Sequence, residues 1–157
     1  MLTSVEVGQS SSLKQANVYL LGEREFRHYW PQIETCLDAN PELWAFSFTK
    51  EGLCRKILEG AVQAWVVQTD DIIHVVLMTQ MFELVEGKVL QVFWAWGHDL
   101  AHSLPCLDLV LNRFARTFGC TQIDIQGRKG VERLLRPLGF EFAYTTVSRP
   151  VRAIREN

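Results

Sequence analysis

The chain has 157 residues with 48% hydrophobic and 22% charged side chains, the balance of an ordinary globular domain, which excludes a disordered, collagenous or coiled-coil chain. Sixteen basic against 18 acidic residues leave a net charge of −2, so a generally polycationic nucleic-acid coat is excluded as well. A chain of this length hides roughly two thirds of its unfolded surface in one core, so a single domain is expected without a disulfide or metal staple.

Residues 1–16 carry Ser4, Gly8 and the cluster Ser10-Ser11-Ser12 with little apolar content beyond Val5 and Val7, and read as a flexible N-terminal arm or a frayed first strand. After Val18-Tyr19-Leu20-Leu21, the positions Phe26, Tyr29, Trp30, Ile33 and Leu37 recur at three and four, the period of one helix face. Pro31 must start or kink that helix, and Asn40-Pro41 ends it. A second helix is predicted from an N-cap at Thr49, burying Leu53, Ile57 and Leu58 and stopping at Gly60. From Ala64 the pattern changes to β-rich runs. Ala64–Gln68, Ile72–Leu84 and Lys88–Trp96 read as strands joined through Thr69-Asp70-Asp71 and Glu86-Gly87, and such short links make an antiparallel meander.

A further helical stripe, Leu104, Leu107, Leu111, Phe114 and Phe118, opens at Ser103 with Pro105 in its first turn and closes at Gly119. A strand Gln122–Gln126, a helix Lys129–Leu138 capped by Gly139 and a last strand from Phe140 to about Val147 complete the domain over residues 17–148, leaving a basic tail at 149–157. Strand, helix, strand across residues 88–126 requires a crossover, so the fourth and fifth strands are parallel neighbours. The prediction is an α+β fold, an α/β/α sandwich around a mixed sheet.

Four cysteines stand singly, without a C-x-x-C pair, as in a reducing compartment. No signal-like N-terminus and no apolar run approaching 18 residues is present, so a cytoplasmic location without membrane contact is expected. Charge is split: residues 113–157 hold nine basic and four acidic residues (9 − 4 = +5), and the preceding 112 carry 7 − 14 = −7. Such asymmetry attracts an anionic ligand or supports contacts between subunits.

Arg113-Phe114-Ala115-Arg116 running into Gly119-Cys120, Gly127-Arg128-Lys129-Gly130 after the fifth strand, and Leu138-Gly139-Phe140 opening the last strand give residues 23–148 a resemblance to the GNAT (Gcn5-related N-acetyltransferase) superfamily, with the closer likeness to small GNAT-like proteins of tailed phages. The resemblance implies acetyl-CoA or another acyl-CoA held between splayed fourth and fifth strands. Its diphosphate would lie where Trp96-Gly97 ends the fourth strand and Ser103 opens the next helix, at unpaired helix N–H groups. The family's glycine-rich loop is replaced here by Gly97-His98-Asp99-Leu100-Ala101-His102-Ser103, and Leu135 stands where many members carry a proton-donating Tyr. Tyr144 on the final strand is the substitute candidate.

An amine must lose a proton before it attacks a thioester, and His98 or Asp99, following the fourth strand, or Glu83 on the neighbouring strand could accept it. Arg128 and Lys129 between strand and helix suit phosphate. His98 and His102 are spaced i, i+4, but with the helix starting at Ser103 they fall in a loop, and no metal site is expected. In Phe93-Trp94-Ala95-Trp96, alternation sends Trp94 and Trp96 to one sheet face and Phe93 to the other, as core. His74, within an apolar strand, reads as a hydrogen-bonded core residue. Basic and aromatic residues are not interleaved, so nucleic acid is not a predicted partner.

Two functions follow. One is an acyl-CoA-dependent N-acyltransferase with a degenerate cofactor loop and an unknown amine substrate. The other is a non-catalytic phage virion component that keeps the fold and binds other virion proteins or itself.

Overall fold

The structure, a computed structural model, describes residues 17–39, 48–98, 100–127, 130–143 and 150–151. In chain order the elements are β1 (Asn17–Leu20), α1 (Glu23–Ala39), α2 (Lys50–Leu58), β2 (Val62–Thr69), β3 (Ile72–Leu84), β4 (Gly87–Gly97), α3 (Leu100–Thr117), β5 (Cys120–Ile125) and α4 (Val131–Leu135), which tightens into a 3₁₀ turn at Arg136–Leu138. The sheet runs β1-β2-β3-β4-β5, with the first four strands antiparallel and β5 parallel to β4.

Helices cover both faces of the sheet. On one, Phe26, Ile33 and Leu37 of α1 and Leu53 and Ile57 of α2 pack on Ala64, Val66, Val76 and Met78. On the other, Leu107, Val110, Leu111 and Ala115 of α3 pack on Trp65, Val67, Val75, Leu77, Leu90 and Val92. This is the expected α+β sandwich, and alternation along the strands explains it, since odd and even residues of β2 feed opposite cores. One polar chain crosses its interior: Trp65 Nε1 donates to Thr79 Oγ1 at 3.0 Å, and Thr79 Oγ1 donates to Gln63 Oε1 at 2.9 Å.

Thr49 caps α2 as predicted, its hydroxyl accepting from the Gly52 N–H at 3.0 Å. Other boundaries differ from the sequence reading. Pro31 does not start α1 but lies inside it, exposed, with Thr35 Oγ1 donating to its carbonyl. α3 begins at Leu100 rather than Ser103, because Leu100 joins the buried stripe four residues before Leu104 and packs on the α3-side core. The fourth helix is shorter than predicted, since Pro137 lacks the N–H and the room that another α turn would need. Phe140–Ala143 form no strand; the rest of the predicted last strand, the N-terminal arm and most of the C-terminal tail lie outside the described residues.

Candidate active site

β4 and β5 are neighbours for part of their length only. Lys88–Val92 pair with Cys120–Ile125, and the Gln126 N–H closes the ladder on the Val92 carbonyl at 2.9 Å. β4 then continues from Phe93 to Gly97 with no strand beside that edge among the described residues. The point of departure has a local cause. Against β3, Thr79 pairs with Val92 and Met78 with Trp94, so Phe93 is an extra residue, a β-bulge. A bulge bends its strand and sharpens its twist, here one residue beyond the last β4–β5 pair.

The bulge also corrects the predicted alternation. Phe93 and Trp94 enter the same core as Trp96, under α1 and α2, and Phe93 meets Phe48 with ring centroids 5.4 Å apart.

A cavity of about 530 Å³ fills the fork. Val92–Ala95 of β4 and Ile123 and Ile125 of β5 border it; Leu100, Leu104 and Leu107 of α3 and Val131, Leu134 and Leu135 of α4 close it. Gly127 is what lets α4 fold back over the strand end, since a Cβ there would meet the Val131 side chain at 2.7 Å. Asp108 is the acidic residue among this lining, and loss of water pushes its carboxyl above the usual range. It also borders an adjoining polar hollow of about 430 Å³ with Asn112, Arg116, Thr121 and Gln122.

The predicted site residues distribute unevenly around this fork. Gly97 ends β4 beside a second bulge, at His74 of β3, where Val67 pairs with Val75 and Gln68 with Ile73. The His74 carbonyl accepts from the His98 N–H at 3.0 Å, and a Cβ on Gly97 would run into that carbonyl and the Val75 backbone. Close approach to β3 therefore accounts for the glycine. His74 itself is half-buried rather than enclosed in the core. Trp96 packs against the α1/α2 core with its ring 5.3 Å from that of His98, edge to face. His98 is exposed beyond the end of β4; His102 is exposed in the first turn of α3, so it is not in a loop, and Ser103 is half-buried in that turn rather than capping it.

Glu83 is not brought to the fork. It is exposed opposite Lys88 at the β3–β4 hairpin, four residues from Val92, or about 13 Å along a strand. Asp99, Arg128, Lys129 and Tyr144 lie outside the described residues. Sequence reasoning passed over Asp108, although a lone acid between Leu104 and Leu111 of an apolar stripe was a signal, and treated Trp94 as packing only.

No protein-family model matches the chain, and no curated protein matches it by sequence. Its fold does match solved N-acetyltransferases. An aminoglycoside acetyltransferase from an uncultured soil metagenomic sample, in complex with sisomicin, has a TM-score of 0.64 with 15% identity, covering 89% of this chain and 97% of its own. Aminoglycoside N-acetyltransferase AAC(6')-Iy in complex with CoA has a TM-score of 0.65 with 12% identity, covering 94% of this chain and 99% of its own. Ribosomal-protein-alanine N-acetyltransferase from Brucella melitensis biovar Abortus 2308 has a TM-score of 0.62 with 12% identity, covering 85% and 99%. Such identities establish architecture: the chain has the GNAT fold, a mixed sheet split between β4 and β5. Residue roles do not follow from architecture alone.

Proposed function

We propose that this chain is an acyl-CoA-dependent N-acyltransferase acting on a primary amine. The observation that carries the proposal is the parted β4–β5 seam with a largely apolar cavity of ligand size inside it. The described residues fit an acyl-CoA. The edge of β4 from Phe93 to Gly97, unpaired on that side among the described residues, offers backbone groups to an extended arm, and Leu104, Leu107 and Ile125 offer apolar walls that exclude water. The first turn of α3, a helix of 18 residues, offers unpaired N–H groups and the positive end of its dipole to a diphosphate, with Ser103 adding a hydroxyl. Arg128 and Lys129 follow Gly127, which borders the cavity, and supply charge for the same anion.

Bound acyl-CoA supplies an activated thioester carbonyl. The chain's part is to hold the amine against it and to take the amine's proton. His98, exposed at the end of β4, and Asp99 beside it are the proposed acceptors, and Tyr144 is the proposed donor to the departing thiolate. Glu83 stands too far from the fork to share that work.

Calorimetric titration with acetyl-CoA tests the proposal. Binding is expected, and acetyl-CoA at a hundred times its dissociation constant should stabilise the fold by about 2.7 kcal/mol. No heat and no thermal shift at millimolar acetyl-CoA would retire the enzyme reading, and is what a virion scaffold that merely keeps the fold predicts.

A further inference from the structure

Buried indoles keep their N–H bonded, because a donor stripped of water and left unpaired is costly. Trp65 obeys the rule through its bond to Thr79 inside the α3-side core. Trp94 does not. It is 2% exposed, its Nε1 is buried, and no hydrogen-bond partner reaches that atom among the described residues. The same residue borders the cavity in the fork and directly follows the bulged Phe93. The Oε1 of Gln68 is also unpartnered, but Gln68 does not border the cavity and points to nothing. At Trp94 the two observations coincide on one residue.

We infer that the Trp94 indole N–H is a ligand-binding donor, completed by a carbonyl oxygen of the molecule that enters the fork. The inference rests on the acyl-CoA reading for the identity of that molecule, whose carbonyls are the thioester and the two amides of the pantetheine arm. A donor of this kind selects for a carbonyl at one depth along the arm, since an occupant without one leaves the N–H unpaired.

The experiment compares wild type and Trp94→Phe by calorimetry with two probes, acetyl-CoA and CoA, and follows the Trp94 indole N–H by NMR in protein carrying ¹⁵N-labelled tryptophan, the resonance being the one missing from the variant. The expected result is acetyl-CoA binding weaker by roughly five- to tenfold in Trp94→Phe, with a shift of the wild-type resonance on saturation. Weakening with acetyl-CoA alone assigns the bond to the thioester carbonyl; weakening with both probes assigns it to a pantetheine amide. Equal affinities overturn the inference and leave the transferase reading standing. So does a fall in affinity with an unmoved resonance, because lost ring volume then explains it. No binding of either probe to wild type overturns both. Should Trp94→Phe fail to fold, a benzothienyl side chain at the same position keeps the ring volume and still removes the donor.

Discussion

Asp108 brings a carboxyl to the α3 wall of the cavity, otherwise built from leucines, and its desolvation links stability to pH. A carboxyl whose folded pKa is raised favours the folded state when protonated. That contribution is complete below the unfolded value of about 3.9 and is lost as pH rises through the raised one. Asp108→Asn is therefore expected to be more stable than wild type at pH 7 and equal to it at pH 3. Urea midpoints measured across that range check this, and a constant difference at every pH would show that titration is not the cause. Residues of this kind were the least legible in the sequence. Trp94 and Asp108 acquire meaning only from what surrounds them, and no local pattern states whether an indole finds a partner.

Among the elements, helices and meander strands were legible because burial imposes a period of 3.6 or 2 on the residues that form them. Thr49 and Gly60 marked α2 correctly, and Gly119 marked the end of α3. Steric exceptions were not legible: Pro137 shortening α4, Leu100 extending α3, and above all the bulge at Phe93. Two adjacent large aromatics, Phe93 and Trp94, both needing burial in an alternating strand, were the available clue. Deleting Phe93 tests the bulge as the cause of the fork. Deletion restores a simple Val92–Trp94 alternation, so the fold is expected to survive with a loss of about 3–5 kcal/mol from the missing ring. β4 should then continue alongside β5, and stabilisation by acetyl-CoA should vanish. Circular dichroism, urea unfolding and a thermal shift read the three effects, and acetyl-CoA binding retained at wild-type strength would separate the fork from the bulge.

At the scale of the whole molecule, one sheet carries two cores, and the helices and meander strands that build them were legible in the sequence from the periods of their apolar residues. Sharing a sheet makes the cores a single cooperative unit. Leu53→Ala under α2 and Leu107→Ala under α3, both fully enclosed, are each expected to cost about 2–5 kcal/mol. Lying on opposite faces, they should add within about 0.5 kcal/mol in the double variant, with one unfolding transition. Two separate transitions by fluorescence and circular dichroism would show that the layers melt independently.

A seam that stays zipped for five residue pairs and then parts behaves as a clasp with a built-in stop. The zipped portion fixes how far apart the free ends stand, so the span of the opening belongs to the backbone. Side chains along its walls can then be exchanged to suit a different guest while the gauge of the slot stays the same.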